Sequence, residues 1–81
     1  MSDNKPQTLK QCVNEALEDY LNQVEPEHIS DLYTMVLAEV EAPMLAVVMK
    51  HARSNQSKAA SMLGLNRGTL RKKLRQYRLL D

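Results

Sequence analysis

The chain has 81 residues with one cysteine and two histidines, which excludes an internal disulfide and offers no zinc-ligand spacing, so a fold this small is expected to need oligomerisation. Its formal net charge of +1 conceals a segregation of charge: residues 1–49 carry two basic and nine acidic side chains, and residues 50–81 carry nine basic and one acidic. A half so basic is typical of a protein that binds a polyanion, and we expect no cofactor.

The first predicted helix spans residues 8–24 and follows a short N-terminus, residues 1–7, that is predicted to be disordered. Thr8 and Gln11 have the spacing of a capping box. Cys12 lies between Leu9 and Ala16 at helical spacing, so it is expected to be a small buried side chain in a protein of a reducing compartment. One apolar stripe, which predicts a face for packing, consists of Leu9, Val13, Ala16, Leu17, Tyr20, Leu21 and Val24.

The second predicted helix runs from about residue 27 to residue 52, and its start is ambiguous because Pro26 and Ser30 both suit a helix start. Fourteen of the eighteen residues 32–49 are apolar. One face of a helix in so small a protein cannot hide that many, so we infer an obligate, symmetric homodimer. Pro43 is expected to kink this helix, and two helices broken at Pro43 are the alternative. The expected dimerisation residues are Leu32, Met35, Val36, Val40, Met44 and Val47.

Two observations bear on the cellular location. The N-terminal residues MSDNKPQ contain no apolar stretch for a signal sequence. Glu39, Glu41 and Pro43 interrupt the longest apolar region, which is therefore predicted to be too polar and too short to span a bilayer. We expect a cytoplasmic protein without a membrane partner.

The last predicted unit, residues 53–81, has the pattern of a helix-turn-helix. Asn55 is a good N-cap for a third helix that ends at Leu63, and Gly64 suits a left-handed residue at the turn. Asn66 suits the N-cap of the fourth helix. The side chains expected to form the small core of this unit are Ala59, Ala60, Leu63, Leu65, Leu70, Leu74 and Tyr77.

In such motifs the N-terminal residues of the second helix reach base edges in the major groove of DNA. Arg67 has the shape for a bidentate contact with guanine, and Asn66 can bond to adenine or a neighbouring base. The other polar and basic side chains are expected to hold phosphates, so binding should weaken steeply with salt. The full predicted DNA-binding set is Asn66, Arg67, Thr69, Arg71, Lys72, Lys73, Arg75, Asn55, Ser57, Lys58 and Arg53.

Two segments carry a resemblance to a known family: NQSKAASMLGLNRGTLRKKLRQY and, before it, DLYTMVLAEVEAPMLAVVM. Over roughly residues 9–77 the chain resembles Fis, the factor for inversion stimulation, a family of bacterial nucleoid-associated proteins. The resemblance implies an all-α fold of four helices, an intertwined homodimer with a C-terminal helix-turn-helix in each protomer, and bending of DNA at degenerate sites. It implies base contacts for Asn66 and Arg67, and backbone or flanking contacts for Arg53, Asn55, Ser57, Thr69, Arg71 and Lys72.

Better-known members of this family also carry an N-terminal β-hairpin arm that touches a DNA invertase. About seven residues precede the first predicted helix, which is too few for such an arm. We therefore expect no contact with an invertase.

The sequence thus predicts a dimeric DNA-binding and DNA-bending protein that acts as a nucleoid-associated transcription regulator. One alternative is a detached Fis-type helix-turn-helix domain of an NtrC-type activator. Another is a protein-interaction module whose basic helix docks an acidic protein. An enzyme is not expected, because His28, Ser30 and Asp31 lie too close in sequence to face one another and the chain has no glycine-rich phosphate loop.

Overall fold

The computed structural model describes residues 7–80, in which all regular structure is helical. The chain divides into two compact units, of which the first ends at Leu32 and the second begins at Tyr33. The all-α prediction is confirmed. The predicted disordered segment, residues 1–7, lies outside the described residues except for Gln7. The helices are α1 (Leu9–Gln23), α2 (Leu32–His51), α3 (Gln56–Leu63) and α4 (Arg67–Gln76), with a 3-10 turn at Pro26–His28.

Helix α1 begins with the predicted capping box. The backbone N–H of Gln11 donates to Thr8 Oγ1 at 3.1 Å, and the backbone N–H of Thr8 donates to Gln11 Oε1 at 2.9 Å. No side chain of α1 is buried in the protomer, and Leu9 is 84% exposed. Cys12 is exposed too, so the expectation of a buried thiol is wrong for the single chain. Sequence spacing places Cys12 among apolar neighbours, but the first unit supplies no surface that covers them.

Helix α2 begins at Leu32, so the predicted start near residue 27 is wrong. Pro26 opens only the 3-10 turn, where the backbone N–H of Ile29 donates to the carbonyl oxygen of Pro26 at 3.1 Å. Asp31 then adopts a left-handed backbone conformation with a φ of 54°. Because one left-handed residue breaks the repeat of right-handed helical dihedrals, the turn does not run on into α2.

Pro43 lies within α2, and the helix continues past it from Leu32 to His51. The alternative of two helices broken at Pro43 is therefore wrong, while the kink stays a prediction. A proline inside a helix removes one backbone hydrogen bond, and the remaining bonds of the helix hold it together.

By length and composition, α2 is also apolar enough to cross a membrane. The expectation that it is too short and too polar for this is wrong on those two measures. The same helix, however, carries Glu41 in an ion pair with Lys73 of α4 and buries Leu45 against the helix-turn-helix. A charged pair is costly at membrane depth, whereas a long apolar helix is what the buried core of an oligomer requires.

The core of the second unit lies where α2, α3 and α4 meet. Leu45 of α2 and Leu70 and Leu74 of α4 are completely buried, and the predicted burial of the last two is confirmed. Each such leucine contributes roughly 1.5 to 3 kcal/mol relative to an exposed one. The small side chains Ala52, Ala59 and Ala60 complete the core, and Val48, Met49, Leu63, Tyr77 and Leu80 pack around it.

Each helix of the second unit ends in the same way, with a backbone N–H that donates to the carbonyl oxygen five residues earlier. The donors are Ser54, Leu65 and Leu79, and each bond is between 2.8 and 3.0 Å long. The residue before each donor is left-handed, namely Arg53, Gly64 and Arg78. Glycine adopts this conformation without steric cost, whereas arginine and serine adopt it at a cost because they have a Cβ atom. Ser54 is left-handed as well, with a φ of 64°.

Replacing Ser54 with glycine should raise the free energy of unfolding by about 1 kcal/mol, because glycine adopts the left-handed conformation at this exposed position without the steric cost that serine has. Urea unfolding monitored by circular dichroism measures this value. Ser61→Gly is the matched control: Ser61 lies inside α3, so glycine there should lower stability by about 0.5 kcal/mol. A loss of stability in Ser54→Gly equal to that of the control would contradict the expectation.

Candidate nucleic-acid interface

Two asparagines cap the helices of the helix-turn-helix. Asn55 Oδ1 accepts a hydrogen bond from the backbone N–H of Lys58 at 3.0 Å, and Asn66 Oδ1 accepts one from the backbone N–H of Thr69 at 2.8 Å. Both predicted N-caps are confirmed. Because each side-chain oxygen is engaged by its own helix, the amide NH₂ is the group best able to contact a ligand. At Asn66 this favours a single donated bond over a bidentate contact with adenine.

The turn between α3 and α4 has the predicted geometry. Gly64 has a φ of 77°, and its backbone N–H donates to the carbonyl oxygen of Ser61 at 3.2 Å. A Cβ atom at Gly64 would meet nothing within 4 Å, so the requirement for glycine is conformational rather than steric. Ala60 is buried beneath the turn, where a small side chain lets the two helices approach closely.

Helix α4 presents one apolar side and one cationic side. Its arginines at four-residue steps, Arg67, Arg71 and Arg75, are all exposed, and Lys72 is exposed beside them. The first turn of α4 contains no acidic residue. An exposed helix start with this charge attracts anions, since the backbone N–H groups of the first turn add positive potential. These arginines form the arginine stripe of α4.

The predicted contacts around α3 occupy the surface next to this stripe. Arg53, Asn55, Ser57 and Lys58 are exposed, whereas Thr69 of α4 is half-buried. Sequence reasoning missed Gln56, whose Oε1 accepts a hydrogen bond from a guanidinium nitrogen of Arg71 at 3.4 Å. This bond joins the two helices and orients Arg71, and no spacing in the sequence indicates it.

Lys73 lies on the other side of α4, toward α2. Its Nζ is 3.0 Å from Glu41 Oε2, and the Tyr77 hydroxyl donates to Glu41 Oε1 at 2.6 Å. The hydrogen bond from Tyr77, followed by that from Lys73, lowers the pKa of the Glu41 carboxyl. The same bond to the carboxylate raises the pKa of Tyr77. The phosphate contact predicted for Lys73 stays a prediction, and the structure places its ammonium on Glu41.

Sequence reasoning treated Glu41 only as an interruption of an apolar helix. Its position carries a signal, since Glu41, Leu45 and Val48 recur at steps of four and three and therefore share one face of α2, which Ala52 continues directly after the helix ends. This face contacts α3 and α4. A half-buried acid on it requires a partner, and Lys73 and Tyr77 supply two.

A second apolar face of α2 remains uncovered in the protomer. Of the predicted dimerisation residues, Val40, Met44 and Val47 are exposed, and Leu32, Met35 and Val36 are half-buried. Sequence reasoning missed two members of the same face, Tyr33 and Leu37, of which Tyr33 is 77% exposed. We call the residues Tyr33, Leu37, Val40, Met44 and Val47, at steps of four, three, four and three, the open face of α2.

These features define a helix-turn-helix protein with an exposed cationic recognition helix. The sequence profile described as "Bacterial regulatory protein, Fis family" matches residues 36–77. A Fis-like protein of Pseudomonas aeruginosa is 57% identical over 91% of this chain and 71% of its own length. The DNA-binding protein Fis of Histophilus somni and that of Pasteurella multocida are each 55% identical over 91% of this chain and cover 74% and 73% of their own lengths.

The chain therefore belongs to the Fis family, and it is a DNA-binding regulator with a helix-turn-helix. The resemblance predicted from its two sequence segments is confirmed. All three relatives are named as DNA-binding proteins.

Asn66 can be tested as a cap separately from any role in DNA contact. Asn66→Ala should lower the free energy of unfolding by about 1 kcal/mol, because the N–H of Thr69 loses its acceptor. Asn66→Ser retains a capping oxygen and should cost much less. Chemical denaturation of both variants gives the comparison. Equal losses in the two variants would show that the side chain stabilises the fold by something other than capping.

Proposed function

We propose that the protein is a homodimeric, DNA-bending, nucleoid-associated transcription regulator that places two helix-turn-helix units on one duplex at degenerate sites. The observation that carries this proposal is the two-sidedness of α4, whose leucines are completely buried while its arginine stripe is exposed. The bacterial DNA-binding relatives support a location on DNA in the cytoplasm.

In the proposed complex, the N-terminal end of α4 enters the major groove. Arg67, exposed in the first turn, reads a guanine through its two parallel donors. Asn66 donates its amide N–H to a base or to the backbone while its oxygen caps the helix. These two residues supply the sequence preference, whereas the side chains that contact phosphates position the protein on the duplex.

The backbone contacts are assigned to side chains that flank the groove. Arg71 and Arg75 continue the arginine stripe along the phosphates, with Thr69 and Lys72 next to them. From the α3 side the proposed contacts are Ser57, Lys58, Asn55 and Arg53. Arg53 and Asn55 lie just ahead of α3, where they can reach flanking DNA if the duplex bends toward the protein.

The proposed dimer follows from the open face of α2. Its five side chains are apolar and each is at least 42% exposed, and no side chain of α1 is buried either. Exposed apolar surface of this extent marks a contact with another protein. A second copy provides matching surface by symmetry, and it brings a second recognition helix to the same duplex.

Arg67→Ala should weaken binding to a preferred duplex by about 1 to 3 kcal/mol and relax the sequence preference, because it removes a base contact. Fluorescence anisotropy with a preferred and a random duplex at several salt concentrations measures both effects. Lys10→Ala, on exposed α1, removes one positive charge outside the proposed interface and should leave the preference unchanged. Equal losses on the two duplexes in Arg67→Ala would refute the base contact.

Val47→Lys should abolish the dimer, because it buries an unpaired charge in the proposed interface. Sedimentation at micromolar concentration, with circular dichroism for folding, gives the result. Ala46→Lys is the neighbouring control, since Ala46 is exposed and lies off the open face, and this variant should remain dimeric. A wild-type protein that sediments as a folded monomer would overturn the proposed dimer.

A further inference from the structure

The contact of Glu41 with α4 has a directional character that the surrounding core lacks. Its two carboxylate oxygens hold two different side chains, Lys73 Nζ at 3.0 Å and the Tyr77 hydroxyl at 2.6 Å. Tyr77 is the C-cap residue of α4, four residues after Lys73, so the two side chains lie on the same side at the C-terminal end of the helix. One carboxylate therefore grips α4 at two points. We call these three residues the Glu41 clamp.

The apolar contacts between α2 and α4 differ in kind from the contacts of the Glu41 clamp. Leu45, Leu70 and Leu74 exclude water where α2 meets α4, and such contacts are non-directional. Hydrogen bonds to a charged group are directional and stronger than those between neutral groups. Two of them, one from Lys73 within α4 and one from its C-cap Tyr77, restrain both the rotation of α4 about its axis and its angle to α2.

The clamp and the DNA-facing residues occupy different sides of α4. Lys73 recurs with Leu70, Leu74 and Tyr77 at three- and four-residue steps, whereas the exposed arginines follow Arg67 at four-residue steps. The rotation fixed by the clamp therefore decides where Arg67 points.

We propose that Glu41 is a positioning residue for DNA recognition, which acts through Lys73 and Tyr77 to hold the arginine stripe of α4 at the angle that two paired recognition helices need. This inference rests on the proposed dimeric function. On a helix that also carries the open face, Glu41 links the dimer contact directly to the recognition helix. Lys73 then contributes to binding through Glu41 rather than through a phosphate.

A matched pair of charge-neutralising variants tests this role, because a positioning role and a loss of negative charge change the affinity for DNA in opposite directions. Glu39→Gln and Glu41→Gln each remove one negative charge from α2, and Glu39 is exposed. Removal of a negative charge by itself strengthens attraction to DNA. A positioning role predicts the opposite for Glu41→Gln alone. The test duplex has about 30 base pairs and is selected from a random pool by the wild-type protein. Glu41→Gln should bind this duplex about two- to fivefold more weakly than Glu39→Gln does.

Tyr77→Phe provides a second variant that changes no charge. It keeps the ring that packs against the core and removes only the hydroxyl that donates to Glu41. Binding to the selected duplex should weaken in the same direction, while binding to random duplex should change less than twofold, a shift below about 0.4 kcal/mol. Circular dichroism and sedimentation check that each variant remains folded and dimeric.

The decisive readout is the distance between dyes at the two ends of the selected duplex, measured by energy transfer with the protein at saturation. Saturation removes differences in affinity and stability, so a change in this distance reports on geometry. Glu41→Gln and Tyr77→Phe should both change it, and Glu39→Gln should not. Wild-type distances in both variants would overturn the positioning role.

Two further outcomes differ from unchanged distances between the dyes in what they would overturn. Tighter binding and a steeper salt dependence in Glu41→Gln would show that the freed Lys73 reaches a phosphate, and they would overturn the inference. Failure of the wild-type protein to bend the duplex or to prefer the selected sequence would instead refute the proposed function, whatever the variants do.

Discussion

The whole arrangement depends on the burial of α2, which is apolar on two sides. One side is filled within the protomer, where Leu45 packs with Leu70 and Leu74 of α4. The other side, from Tyr33 to Val47, is left to solvent by a single copy. In the dimer that we propose, a partner covers this second face, so one helix joins the assembly contact to the recognition helix.

The recognition helix α4 likewise has two different sides, one that anchors it and one that carries exposed cations. Ten residues of α4 anchor the helix and also carry the exposed cations that we propose contact DNA. Leucines on one side are completely buried, and the arginine stripe stays on the other. The Glu41 clamp adds orientation, since it engages the anchored side only. Thus the charge of Lys73 is balanced by a protein carboxylate, while the arginines of the stripe stay exposed for the phosphate contacts that we propose.

At the turn, helix capping and the proposed recognition of DNA involve the same residue. Asn66 caps α4 with its oxygen and keeps an amide NH₂ for a ligand, so the group that starts the helix also limits the contacts it can make. The left-handed residues at the three helix ends differ in cost, because Gly64 accepts the conformation freely and Arg53, Ser54 and Arg78 do not. The connection between α2 and α3 therefore carries backbone strain that the α3–α4 turn avoids.

Features set by neighbouring residues were predictable from the sequence. The caps at Thr8, Asn55 and Asn66 and the turn at Gly64 depend on contacts within four residues or on a single residue's backbone preference, and the stripe on α4 depends on helical periodicity. The family itself was readable from two contiguous segments.

Features set by distant residues were not. The exposure of Cys12 depends on what the first unit can cover, and Glu41 meets its partners 32 and 36 residues along the chain. The start of α2 was missed for a local reason, because the left-handed backbone of Asp31 is not indicated by its residue type. The sequence by itself determined that the chain forms four helices, what caps three of them and which charges they carry. Only the tertiary structure decided which of those charges are already paired, because pairing across elements depends on distances that no local spacing encodes.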